Sequence, residues 1–377
     1  MNIALIASAA LSNKKEATWI TLLALAKEYT KQGHKVIISA ENNGSLPKIE
    51  EEEGIKVYRL YHGKIAAGAR SLHTISKQEK ISFDIIHGFS SSPLMTLNTL
   101  LAKKIFPKAK AIHTIKSYSL FNFTRNLFPH LLKRMDAVTV PTQKLKESII
   151  QGKDDHFEKK IKIIFSPINT LKFRPRDREA LKKKHGYEGK KIILYYGAIR
   201  EEKGVDCLIH AAPLVLEKRN KNDVLFIFAI RSNAVEKKEK YLAMARSLGC
   251  EKYINITLED LPIEEYVSMA DMVVLAYPTL IGTEGNPSCL LESMAAKTPV
   301  VTTDLPELRE IVEHEKEVLM AKPGDAQSVA AEIRRLLQNP ALSKKLTENA
   351  YPKSKQFDSK IIGRQFLDLY QDLLNTN

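Results

Sequence analysis

The sequence is poor in cysteine. Cys207, Cys250 and Cys289 make an odd count with no paired spacing, and none lies in the first half. That argues against a disulfide framework or a zinc site and fits the reducing cytoplasm. Long apolar runs are also missing: the stretch Ile20 to Ala26 carries Thr21 inside it and falls far short of the roughly 20 residues that span a bilayer. Ile3 to Leu11 has the apolarity of a signal-peptide core, but no Lys or Arg precedes it, and Lys14, Lys15 and Glu16 follow at once. It reads instead as a buried strand. No repeat or low-complexity tract is present, and no helix-turn-helix, aromatic stacking strand or zinc spacing points to nucleic acid as a partner.

What is present describes an ordinary globular chain. Its 377 residues exceed what one compact core usually holds, so two domains are expected. Hydrophobic residues make up 44% and charged residues 27%, which excludes a disordered or fibrous class. The net charge of +14 is unevenly placed: residues 1–167 hold 26 Lys and Arg against 14 Asp and Glu, the remainder 32 against 30. A basic first half steers anionic ligands, whether phosphorylated small molecules, lipid headgroups or nucleic acid, and its plain alternative is a lysine-rich solvated surface. Arg125, Lys133 and Arg134 flank Leu127, Phe128, Leu131 and Leu132. This segment reads either as a peripheral contact with an anionic membrane or, since Pro129 interrupts it, as a core-facing helix.

Short apolar runs alternate with helical patterns from the start: Ile3 to Ala7, Lys35 to Ala40, Val57 to Leu60, Asp84 to His87, Ala111 to Ile115 and Ala137 to Val140. Strands apolar throughout and separated by helices mean a parallel sheet covered on both faces. After Ile161 to Ile164, the Pro-containing stretch to Lys184 reads as a linker. The alternation restarts at Lys191 to Tyr196 and continues through Val224 to Ala229, Tyr253 to Ile256, Met272 to Ala276, Pro299 to Thr302 and Val318 to Met320. The expected fold class is α/β, with two doubly wound, Rossmann-like parallel sheets. The first domain takes 1–167 plus the terminal helix at 358–377, and the second takes 168–357. Ile361, Ile362, Phe366, Leu369, Tyr370, Leu373 and Leu374 give that last helix one apolar face.

Glu284-Gly285-Asn286-Pro287-Ser288-Cys289-Leu290-Leu291-Glu292 carries the strongest signal. One glutamate sits in a Gly/Pro loop and the other inside the next helix, so both can face a ligand at that helix's N-terminus, where backbone N–H groups suit phosphate and a carboxylate can accept from two neighbouring hydroxyls. The stretch is similar to the paired-glutamate signature of the family 4 retaining glycosyltransferases, which have the GT-B fold. The resemblance assigns Glu284 to the transferred sugar and Glu292 to the donor ribose, with Gly285, Asn286, Pro287 and Ser288 forming the donor loop between them.

A second element, Tyr195-Tyr196-Gly197-Ala198-Ile199-Arg200-Glu201-Glu202-Lys203-Gly204-Val205, follows the first strand of the second half. Cations beside a helix start can offset charge growing on a leaving diphosphate. It resembles the family's glycine, arginine, lysine and glycine loop. Lys203 matches the phosphate-binding lysine, and Gly197 the first glycine. The usual arginine position is Ala198, with Arg200 two residues later as its replacement. Asn169 stands where the family commonly has an interdomain aspartate, and the terminal helix resembles the one that crosses back to the first domain.

The first half departs from the pattern. The loop after the first strand, Ser8 to Ala17, contains Lys14 and Lys15 and no glycine, and Lys116 follows the strand after which the family often places a histidine. His87 sits where a strand-terminal histidine is common, or is a satisfied core residue. Lys116, His87, Lys14 and Lys15 are the acceptor-side candidates. The resemblance implies a retaining transferase using a nucleotide-diphosphate sugar and a sugar, lipid-linked or phosphorylated acceptor, without a metal cofactor, since no Asp-x-Asp motif is present. The alternative is a non-catalytic sugar-nucleotide binding or scaffold protein of the same fold.

Overall fold

The computed structural model describes residues 1–7, 17–42, 44, 46–61, 66–117, 127–150, 154–217, 223–230 and 235–376. Lys14, Lys15 and Arg125 lie outside the described residues. Contacts divide the chain into two compact units, one of Met1–Ile168, Glu284–Asn286 and Phe357–Asn377, the other of Asn169–Thr283 and Pro287–Gln356.

The first unit is built on an eight-stranded sheet. Its strands are β1 (Asn2–Ala7), β2 (Lys35–Glu41), β3 (Ile49–Glu52), β4 (Ile55–Tyr61), β5 (Ile85–Phe89), β6 (Lys110–Thr114), β7 (Ala137–Val140) and β8 (Ile161–Ile163), in the order β3-β4-β2-β1-β5-β6-β7-β8. All pairings are parallel except that of β3 with β4. The inner strands are largely apolar because alternate side chains enter two different cores, with Ser39, His87, His113 and Thr139 among the buried polar exceptions. Ile3, Leu5 and Ala7 meet Trp19, Leu22 and Tyr29 on one face, while Ala4 and Ile6 meet Leu72 and Ile75 on the other.

The terminal helix, Ser359–Asn375, packs within this unit, as its apolar face requires. Ile362, Phe366, Leu369 and Tyr370 are buried, Leu373 and Leu374 pack partly buried against the same core, and Ile361 is left exposed. A Cβ at Gly363 would stand 3.1 Å from Glu28 Cβ, so a glycine allows the close approach to the helix Ala17–Lys31. The segment Leu127–Leu132 is the core-facing helix: Phe128 and Leu132 join Leu100, Val138 and Val140, and Lys133 pairs with Asp154 at 2.7 Å. Leu131 packs partly buried against the same core. Among the described residues no helix is long and apolar enough to cross a membrane.

Strand β3 was not anticipated, because Glu50, Glu51 and Glu52 contradict strand propensity. It is an edge strand, where charge is tolerated, and buried Arg59 on β4 reaches Glu50 Oε1 at 2.7 Å.

In the second unit the strands are β9 (Lys191–Gly197), β10 (Val224–Ile230), β11 (Ile254–Thr257), β12 (Met272–Val274), β13 (Val300–Thr303) and β14 (Leu319–Ala321). They form one parallel sheet in the order β11-β10-β9-β12-β13-β14. Renumbered within the unit, this is the 3-2-1-4-5-6 order, whose ligand crevice opens beyond the strand C-termini where the order reverses, between β9 and β12. The stretch expected to be linker through Lys184 contains a helix, Arg178–Lys184, capped by Asp177. Its buried Lys182 bonds Asp271 Oδ2 at 2.8 Å, and that oxygen also accepts the Ile192 N–H. Burial pushes the Asp271 carboxyl up, but the Lys182 and Ile192 hydrogen bonds and the nearby positive charge together hold it below the usual range.

Candidate active site

At the reversal point β9 delivers Gly197 into a loop, which closes through a short turn at Glu201–Lys203 and enters the helix Val205–Leu216. Gly204 has φ of 68°, and a Cβ there would stand 1.8 Å from the Ala276 carbonyl oxygen. Only glycine lets this turn lie against the segment leaving β12. The same approach brings Lys203 Nζ over the buried Tyr277 ring, 5.2 Å from its centre. A cation over an aromatic face is held there electrostatically. Lys203 is half-buried, and Arg200 is exposed on the same loop.

The helix after β12, Ser288–Ala295, begins after Pro287 and has no acidic residue in its first turn, so its positive end is not neutralised by its own side chains. Glu292 lies on the face turned toward β9 and is buried. There Tyr196, the penultimate residue of β9, places its hydroxyl 3.0 Å from Glu292 Oε2. Sequence reading missed Tyr196. Its signal was an aromatic with a polar tip beside the last residue of a strand that runs into the glycine loop. Asn169, in place of the common aspartate, accepts the Leu171 and Lys172 N–H groups through Oδ1 at 3.0 and 2.9 Å and so supports the turn by itself.

Glu284, Gly285 and Asn286 make their contacts in the first unit. Ser117 pairs with Glu284 in an isolated antiparallel bridge, and the Gly285 N–H donates to the Lys116 carbonyl at 2.9 Å. Lys116 Nζ lies 2.9 Å from Glu284 Oε1 and 3.0 Å from Thr21 Oγ1. Lys116 is therefore not a solvated lysine: it is buried and joined to the first glutamate of the motif. Asn286 is fully buried, and neither atom of its amide has a hydrogen-bond partner among the described residues.

His87 is the satisfied core residue of the two readings. Its Nδ1 lies 2.6 Å from Tyr370 Oη, its Nε2 2.6 Å from Thr114 Oγ1, and burial, with His113 nearby, lowers its pKa well below the ordinary value. His113 lies within hydrogen-bond distance of Thr96, Thr99 and the Ser90 carbonyl, and burial pulls it down to about 4.

A family model described as "Glycosyl transferases group 1" matches residues 177–353, and one described as "Glycosyltransferase Family 4" matches residues 19–171. The chain belongs to the group 1, family 4 glycosyltransferases. It is 25% identical over 343 residues to the putative glycosyltransferase YtcC of Bacillus subtilis, covering 85% of this chain and 79% of that protein. A glycosyltransferase from Rickettsia africae shares its fold with a TM-score of 0.83 at 20% identity, over 100% of this chain and 99% of that one. Anabaena Alr3699/HepE, in a structure in complex with UDP-glucose, superposes with a TM-score of 0.81 at 17% identity, over 99% of this chain and 100% of that one. This glycosyltransferase thus has the GT-B fold of two Rossmann-like domains.

Proposed function

We propose that this glycosyltransferase moves a sugar from a nucleotide diphosphate to an acceptor hydroxyl with retention of anomeric configuration. The observation that carries the reading is the pairing, at the reversal point of the second unit's sheet, of a cation over Tyr277 with a buried carboxylate held by Tyr196. Lys203, aided by Arg200, offsets charge growing on the leaving diphosphate, and Glu292 accepts from the ribose hydroxyls. Gly197 and the loop Gly285 to Ser288 border the donor, and Glu284 addresses the transferred sugar. The buried amide of Asn286 is a polar pair that a bound sugar or water satisfies.

Retaining transfer asks the protein mainly to position two substrates and stabilise the departing diphosphate. With lysine and arginine supplying the counter-charge, no metal is required. On the first unit's side, Lys116 acts through Glu284, and the acceptor is a sugar, a lipid-linked sugar or a phosphorylated molecule. That HepE was crystallised with UDP-glucose supports a nucleotide-sugar donor. The test is product release from UDP-, GDP-, ADP- and dTDP-sugars with EDTA present. Transfer, or slow hydrolysis to free sugar with one base, is expected. Turnover abolished by EDTA and restored by manganese contradicts the metal-free scheme, and no turnover of any donor leaves a binding protein.

A further inference from the structure

The Tyr196 hydroxyl has one proton and three oxygens around it: Glu292 Oε2 at 3.0 Å, the Cys289 carbonyl at 2.9 Å and Ser293 Oγ at 3.5 Å. The Cys289 carbonyl already accepts the Ser293 hydroxyl at 2.6 Å. The contact to Ser293 Oγ is at the edge of hydrogen-bond range. A carboxylate is the stronger acceptor, since a charge-assisted hydrogen bond is roughly twice as strong as a neutral one. The proton therefore goes to Glu292.

We propose that Tyr196 is a positioning residue for Glu292, and that by fixing its carboxylate it sets the preference for ribonucleotide over deoxyribonucleotide donors. This rests on the ribose role of Glu292 given above. Tyr196 is suited to the task because it is buried in an inner strand. It is buried in β9 with Ala229 of β10 beside it, while β12 flanks the same strand from the other side. A glutamate side chain without such a brace distributes its carboxylate over several rotamers, and a carboxylate can accept from two vicinal hydroxyls only in a narrow range of orientations. Loosening Glu292 therefore weakens a ligand with both hydroxyls more than one that lacks a hydroxyl.

The experiment is calorimetric titration of the full chain with UDP, GDP and ADP. The tightest of these is then compared with its 2′-deoxy and 3′-deoxy counterparts, in wild type, Tyr196→Phe and Glu292→Gln. Wild type should prefer the ribonucleotide by on the order of tenfold, the effect of one hydrogen bond to a charged group, and Glu292→Gln should lose most of that preference. Tyr196→Phe keeps the ring and should cut the preference at least to about a third, raising donor KM more than it lowers kcat. A merely structural role for Tyr196 weakens all three nucleotides equally, and a wild-type ratio in Tyr196→Phe beside a lost ratio in Glu292→Gln overturns the proposal. If wild type binds no nucleotide, or Glu292→Gln keeps the full preference, the ribose role itself fails and takes this inference with it.

Discussion

The two units share the same reversal of strand order at the centre of their sheets and use it differently. Both sheets run outward from a first strand with the second on one side and the next long-range parallel strand on the other, β1 against β5 in the first unit and β9 against β12 in the second. In the second unit the segments that follow the strands at that reversal place Lys203 over the Tyr277 ring and Glu292 against the Tyr196 hydroxyl. In the first unit the polar groups of β5 and β6 are turned inward and tied to one another, with His87 joining Tyr370 to Thr114, and Thr114 in turn bonding Thr139 at 2.5 Å. Topology decides where a crevice can be. The side chains at the strand ends decide whether it holds a ligand or a lock.

The largest effect that would sharpen this contrast is kinetic. Lys203→Ala should lower kcat/KM for the preferred donor by about 10²-fold or more with thermal stability little changed. A comparable loss on replacing His87, in protein that still folds, would erase the distinction between the units. Next is backbone. Gly204→Ala places a methyl on the Ala276 carbonyl and should cost several kcal/mol by urea unfolding, whereas Gly33→Ala, with φ of 82° and nothing within 4 Å, should cost about 1 kcal/mol of strain. Equal costs would show that positive φ, not the close approach, fixes Gly204.

A smaller effect is expected with pH. His87 and His113 are both lowered from 6.5 by burial, His87 further by the charge of His113, and the Ser90 carbonyl partly offsets the shift at His113. The unfolded chain takes up protons near pH 6.5 that the folded chain refuses, so this stability is complete above that pH and is lost below it. For His113 the loss extends down to about pH 4. Each histidine should contribute a slope of about 1.4 kcal/mol per pH unit in that window. His113→Gln should reduce the slope, and an unchanged slope would mean the histidines do not govern it. Smallest is Tyr370→Phe, which removes one hydrogen-bond partner of His87 and of Tyr29 and should cost about 1–2 kcal/mol.

Much of the fold was legible because inner parallel strands must be apolar on both faces, and runs such as Ile3 to Ala7 and Ala137 to Val140 admit little else. Strand β3 escaped because an edge tolerates glutamates that propensity rejects, and the helix Arg178–Lys184 because a buried lysine paired with a distant aspartate reads as a solvated charge. At the site, the spacing of Glu284 and Glu292 and the glycine turn at Gly204 were visible as local patterns. The partners were not. Strand alternation gives the face on which Lys116 or Tyr196 lies, but the carboxylate each meets comes from a segment more than ninety residues away.

The most direct test is thermal stability of the purified chain against UDP-, GDP-, ADP- and dTDP-sugars, in wild type, Lys203→Ala and Glu292→Ala. One nucleotide should stabilise wild type by roughly 2.7 kcal/mol at about 100 times its dissociation constant, with the gain lost in both variants. No shift in wild type, or a shift that survives both substitutions, would contradict a donor site at the reversal point of the second sheet.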